Sequence, residues 1–286
     1  MTDTVQNPAQ KRFAAITTVR NDTVYLQKWV DYYGQELGIK NLFVFIDGHD
    51  QTIPEWLTVV NTLVLPHLQT TRSKGDSRRA RAMSDLARGL FGYFDAVIVT
   101  DVDEFLVVDP NLNVSLAEYL STSKSRTSLS GLGMDVGQHL ELEAPLDPER
   151  PFLDQRQFAH LSARYTKPSV AFHPVTWGSG MHRIKGHNFH IDPNLFLFHF
   201  GMVDFQLATG KTADTDRLAS GWSNHLSRRE ALFKIIAESE PVDGDAYFPT
   251  ARKLQTYRRP IYAFNKPGMI RGNPVVKIPE RFRGIV

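Results

Sequence analysis

The sequence predicts an α/β protein built on a mostly parallel sheet flanked by helices, and three observations point there. Runs such as FAAITT (13–18), LFVFI (42–46) and AVIVT (96–100) are apolar throughout, without the polar alternation of a sheet that has one wet face. They alternate with stretches of helical periodicity, as βαβ units require. The 286 residues, 42% hydrophobic and 22% charged, suffice for one large domain with a buried core.

The elements follow in chain order. Residues 1–10 read as a loose leader and residues 11–240 as the main domain. Phe13–Thr18 is the first buried strand. A helix over about Val24–Leu37 comes next, capped by Asp22 or Thr23, because Leu26, Trp29, Val30, Tyr33 and Leu37 share one face. Gly38 ends that helix, and Leu42–Ile46 forms the second strand. Thr62–Leu65 is a short third strand. Ser77–Tyr93 suits an amphipathic helix carrying Ala82, Leu86, Leu90 and Phe91, and Ala96–Thr100 is the fourth strand.

Residues 11–128 thus make up one half of the domain. Beyond Leu129 the alternation weakens, and strand-like pieces (Val170–His173, Leu195–Phe200) sit among loops rich in Gly, Pro and His. Residues 129–240 therefore read as an active-site wall attached to the first half. Pro241–Gly244 marks the start of a C-terminal extension over residues 241–286. From Ala251 to Val286 there are nine Lys/Arg and one acidic residue, Glu280, a local charge of +8; the preceding 250 residues hold 24 basic and 30 acidic groups. Such a segment is either a solvated tail or a contact for phosphate, anionic lipid or a polyanionic polymer.

Several classes of function are excluded. With no cysteine, there is no disulfide, thiolate zinc site, iron–sulfur cluster or cysteine nucleophile, and any metal must be held by oxygen or imidazole. No apolar run approaches the roughly 18 residues that span a bilayer, and Met1–Lys11 is too polar for a signal peptide. A cytoplasmic location is the resulting expectation. The chain lacks a G-x-x-x-x-G-K-[ST] phosphate loop, a G-x-G-x-x-G turn after the first strand and a G-x-S-x-G elbow. It also lacks zinc-finger spacing and an aromatic-rich ribonucleoprotein motif, so nucleic acid is not an expected partner.

Ligands of open parallel sheets bind at the carboxyl ends of the strands. Here the first strand leads into Thr17, Thr18, Arg20 and Asn21, the second into Asp47 and Gly48, and the fourth into Asp101-Val102-Asp103-Glu104. An isolated D-x-D arises often by chance. Set between AVIVT and EFLVV, TDVDEF reads instead as two carboxylates turned toward a shared divalent cation, Mg2+ or Mn2+, with substrate phosphate filling the remaining positions. Glu104 or Asp103 also reads as a turn cap. Lys74, Arg78, Arg79 and Arg81 lie in or before the helix leading to this strand; Arg79 is the candidate phosphate ligand, a solvated helix face the competing reading. Five histidines crowd into residues 173–199, and most suit loops or packing. His199 differs because it sits in the strand-like LFLFHF, where an imidazole can reach a site from a rigid element.

ITTVRNDTVYLQKWVDYYGQELGIKNLFVFIDGHDQ resembles the opening of bacterial glycosyltransferases of the family 2-like group, and VIVTDVDEFL is similar to their metal-binding aspartate motif. ARYTKP and FLFHFGMVDF resemble more loosely the Lys- and His-containing segments that follow. The resemblance covers about Phe13–Phe205 and is strongest up to Leu106. It implies a GT-A fold, a Rossmann-like sheet that binds a nucleotide-sugar, most often a UDP-sugar, and Mn2+ or Mg2+. Position by position it implies metal binding by Asp101 and Asp103, completed by His199. It further implies donor binding by Thr18, Arg20, Asn21, Asp47 and Asp101. Two departures stand out: Asp22 where many relatives have Glu, and GLGMDVGQH where relatives carry an aromatic-Gly segment.

The implied reaction moves a sugar to a hydroxyl of a glycan or other acceptor. If the anomeric centre inverts, a carboxylate base is needed near the acceptor, and Asp135 in GLGMDVG is the candidate; a turn-forming role is the alternative. Membrane contact through the basic C-terminus is a further expectation. A sugar nucleotidyltransferase and a non-catalytic nucleotide- or glycan-binding module are the competing functions. The former usually carries a Gly-rich first turn, and Thr17–Asp22 has no glycine.

Overall fold

The computed structural model describes residues 11–124, 127–212 and 223–286; the expected leader, residues 1–10, lies outside the described residues. The chain runs β1 (Phe13–Val19), α1 (Thr23–Leu37), β2 (Leu42–Asp47), β3 (Asn61–Leu65), α2 (Arg72–Leu90), β4 (Ala96–Val99) and β5 (Glu104–Val108). After α3 (Leu116–Thr122) come β6 (Ser128–Gly137), β7 (Phe158–Leu161), β8 (Val170–Ala171) and β9 (Ile191–Met202). The strands β10 (Val242–Asp243) and β11 (Val275–Lys277) follow a helix over Ser223–Glu238 and flank another over Gly244–Tyr257.

The sheet is mixed and its core is parallel, with helices against it. Strands β3, β2, β1 and β4 lie side by side in parallel. The order continues through β8, antiparallel to β4, to β6, β7 and β11, each antiparallel to its predecessor. β6 is a branch point: its Leu132–Gly137 stretch also runs parallel to β9, which pairs antiparallel with β5. The α/β expectation is therefore met for residues 11–100, where apolar strands meet helices on both faces.

Two boundaries moved. α2 starts at Arg72, ahead of the expected Ser77, because RSKGDS presents no apolar face that periodicity could register. Ion pairs from Asp76 to Arg72 (3.6 Å) and Arg79 (3.0 Å) support that first turn instead. β9 is twice the length of the expected Leu195–Phe200, since polar Asp192 and Asn194 broke the apolar run that marks a buried strand.

The C-terminal segment is built into the fold, and this corrects its reading as a solvated tail. β11 pairs with β7 and carries β10 on its other edge. Phe248, Ala251, Val275, Val276 and Phe282 are buried, and the Phe282 ring packs 5.0 Å from Phe196 and 5.2 Å from Phe198. Arg281 spends its charge on Asp109, through two bonds of 2.8 and 3.0 Å. Charge counting obscured these widely spaced apolar anchors. No helix among the described residues is long and apolar enough to cross a membrane.

GLGMDVG is a buried strand segment whose glycines admit close backbone neighbours. A Cβ on Gly133 would lie 2.4 Å from the carbonyl oxygen of Ser162 and 2.5 Å from the Thr166 nitrogen. That closeness seats the 162–167 loop, which carries Tyr165 and Lys167, directly on β6.

Candidate active site

α1 fixes the turn that carries the aspartates. The Trp29 indole donates to Thr100 Oγ1 (2.9 Å), and the Tyr33 hydroxyl accepts from the Leu106 N–H (2.8 Å) and donates to the Glu104 carbonyl (3.4 Å). Thr17 Oγ1 donates to the Thr100 carbonyl (3.0 Å), tying β1 to the end of β4. Glu104 closes the turn itself: its carboxylate accepts from the Asp101 N–H (3.2 Å) while its own N–H donates to the Asp101 carbonyl (3.0 Å). The capping role is therefore Glu104's, and Asp101 and Asp103 are held beside it on a short, doubly anchored turn.

Asp101 and Asp103 line a cleft of about 730 Å³ at the carboxyl ends of β1, β2 and β4. Thr18, Arg20, Asp47, Arg79, Asp101, Asp103 and His199 all face it, so the structure gathers most of the site expected from sequence. Asn21 and Asp135 do not line it. Asn21 takes a left-handed backbone (φ 55°) and its N–H donates to Gln51 Oε1 (2.9 Å), so it shapes the turn. Asp135 stands behind His199, its carboxylate accepting from Nδ1 at 2.6 Å. Asp135 is thus held against His199 and outside the lining of the cleft.

The β1–β2 side of the cleft is organised by Arg20. Its guanidinium donates to the Asp47 carbonyl (2.8 Å) and to both Asp50 carboxylate oxygens (3.0 and 2.8 Å). The hydrogen bonds from Arg20 hold the Asp50 carboxyl down at about 2. Gly48, at φ 123°, takes a backbone conformation that residues with a Cβ rarely adopt. The Asp47 carboxylate meets His67 Nδ1 at 3.1 Å.

The residue that the sequence reading did not single out is Lys167. It is almost fully buried, with Nζ 2.7 Å from Asp101 Oδ2 and 2.5 Å from Glu104 Oε1. Burial alone would lower its pKa, but the two carboxylates outweigh burial and push it up. Burial likewise works against Asp101, yet Lys167 and Arg79 hold its pKa below the ordinary value, while burial raises that of Glu104. Arg79 reaches the other Asp101 oxygen at 3.9 Å. The only sequence signal for Lys167 was its place in ARYTKP.

The five histidines separate. His173 and His187 meet edge to face at 6.1 Å, and His182 lines the cleft. Burial, then the nearby Lys167 charge, lowers the His182 pKa to about 4, and its Nδ1 donates to the Arg164 carbonyl (2.9 Å). His199 is stacked under Tyr165, ring centres 3.7 Å apart at 15°.

No three His, Asp or Glu side chains converge on a single cation position among the described residues. Asp103 Oδ2 and His199 Nε2 face each other 3.6 Å apart. The other ring nitrogen of His199, Nδ1, lies 2.6 Å from the Asp135 carboxylate. One imidazole and one carboxylate fit a hard divalent ion whose other ligands are substrate phosphate and water. Asp101 is occupied differently, with one oxygen on Lys167. No protein-family model matches this chain, and no curated protein matches its sequence.

Proposed function

We propose that this protein is a glycosyltransferase of the GT-A fold, related to the family 2-like group, that transfers a sugar from a nucleoside diphosphate-sugar to an acceptor hydroxyl. The observation that carries this reading is the juxtaposition in one cleft of a carboxylate–imidazole pair, Asp103 and His199, with the cations Arg79 and Lys167 beside it and Arg20 at the tips of β1 and β2. A nucleoside diphosphate with its divalent counter-ion presents the complementary arrangement of charge.

In this mechanism Thr18, Arg20 and Asp47 hold the nucleoside end of the donor at the tips of β1 and β2. Asp103 and His199 hold Mn2+ or Mg2+, which supplies Lewis-acid stabilisation of charge on the departing diphosphate when bound. Asp135 keeps the proton on His199 Nδ1, so that Nε2 remains a ligand atom. Tyr165 fixes the ring plane by stacking and shields it from water. Lys167 and Arg79, preorganised against Asp101, add positive potential where negative charge develops. The neutral His182 adds none. Donor and acceptor gain further from being held in reactive geometry.

The test separates products. With nucleoside diphosphate-sugars and Mn2+, the enzyme is expected to release nucleoside diphosphate and no pyrophosphate. Pyrophosphate released instead from nucleoside triphosphate and sugar 1-phosphate would assign a nucleotidyltransferase, and neither product in either assay would assign a binding module.

A further inference from the structure

Between Asp245 and Glu280 the chain has no acidic residue and seven Lys/Arg. Two of these cations work internally. Arg252 lies over Phe196 at 4.7 Å and donates to the Asp192 carbonyl (3.3 Å). Arg259 lies over Phe189 at 4.7 Å and donates to Asn188 Oδ1 (3.2 Å) and to the carbonyls of Ala263 (3.3 Å) and Phe264. Lys253, Arg258, Lys266 and Arg271 are exposed. Among them stand Ile261, 97% exposed, Tyr262, 86%, Tyr257, 76%, and Met269, 63%.

That exposure is enforced by the backbone. The helix over Gly244–Tyr257 ends with the Arg258 N–H on the Leu254 carbonyl (2.9 Å), and Pro260 starts a tight turn closed by Ala263 N–H on the Pro260 carbonyl (2.9 Å). The returning chain is fastened by Gly268 N–H on the Gln255 carbonyl (2.7 Å), and a Cβ on Gly268 would fall 2.2 Å from the Arg258 carbonyl oxygen. With Arg259 stapling the base, Ile261 and Tyr262 form an apolar apex on a fixed, cationic support.

We propose that residues 257–271 dock the protein on an anionic lipid bilayer. Ile261 and Tyr262 enter the boundary between headgroups and acyl chains, and Lys253, Arg258, Lys266 and Arg271 pair with lipid phosphates. A soluble polyanion would use the cations but has no use for an aliphatic and aromatic apex, which favours the bilayer. Lys266, Pro267 and Met269 also line the cleft, so docking brings its mouth to the membrane surface. The docking stands on this loop alone. Its consequence, that the acceptor hydroxyl is borne by a lipid or by a polymer at the membrane, rests on the glycosyltransferase reading.

The experiment is co-sedimentation of the full chain with vesicles of phosphatidylcholine, with and without phosphatidylglycerol, at low and high salt. Binding is expected to require phosphatidylglycerol and to weaken with salt. Arg258→Ser should weaken partitioning roughly fivefold, and Ile261→Ser with Tyr262→Ser roughly tenfold or more, each with an unchanged melting temperature because these side chains are exposed. No binding to the anionic vesicles, or full binding by the Ile261/Tyr262 variant, would overturn the proposal. Vesicle binding is read without any donor, so a failure here is distinct from a failure of glycosyl transfer.

Discussion

Replacing Lys167 by Met tests whether the ion cluster holds the floor of the cleft. The substitution preserves the stem but leaves the fully buried Glu104 without its counter-charge, while Asp101 keeps Arg79 and partial exposure. Removing one member of a buried pair typically costs about 3–5 kcal/mol. The charge part has its own ceiling, because Glu104 can escape by taking up a proton. At 1.36 kcal/mol per pH unit, protonating a group of ordinary pKa 4.5 at pH 7 costs about 3.4 kcal/mol. The sign follows: in the variant the folded-state pKa is raised above the unfolded value, so the folded state binds the extra proton. The penalty is then full at neutral pH and shrinks as pH falls toward about 4.5. Urea unfolding of wild type and variant between pH 5 and 7.5, in chelator to keep metal out, measures it. A second change, Glu104→Gln, should remove the pH dependence. A penalty constant across this range, or one that grows on acidification, would refute the reasoning.

Two further predictions concern the cleft. Asp135→Asn should weaken Mn2+-dependent nucleotide binding by about 10–100-fold while leaving metal-free nucleotide binding and the melting temperature unchanged; equal losses with and without Mn2+ would mark a purely structural role. Arg20→Gln should return the Asp50 carboxyl from about 2 toward 3.8 in an NMR titration, together with weaker nucleotide binding. An Asp50 titration that does not move would show that the Arg20 clamp is not formed in solution.

What the sequence disclosed depended on the range of each signal. Phe13–Val19, Leu42–Asp47 and Ala96–Val99 are continuous apolar runs, so their strands and the residues just past them were legible from local pattern alone. Thr18, Arg20, Asp47, Asp101 and Asp103 inherit that legibility because a strand end fixes where they emerge. Lys167 and Tyr165 do not: they reach the site from a loop seated by Gly133, more than thirty residues away, which no periodicity encodes. Asp135 was visible as a carboxylate in a glycine-rich segment, but its facing partner is set by the β6–β9 register that pairs it with His199. The C-terminal segment misled in the opposite direction, since its nine cations stand out in any charge count while Phe248, Val276 and Phe282 are single apolar residues without a periodic run.

The central claim is that Asp103 and His199 jointly receive the counter-ion of a nucleoside diphosphate. Calorimetric titration of nucleoside diphosphate into wild type and Asp103→Asn, with and without Mn2+, addresses it most directly. Wild type should bind at least about tenfold more tightly with Mn2+, a gain of ~1.4 kcal/mol or more. The variant, in which the Asp103 carbonyl still accepts from the Phe200 N–H (2.9 Å), should fold normally and lose that gain. A folded variant with the full Mn2+-dependent affinity would contradict the account.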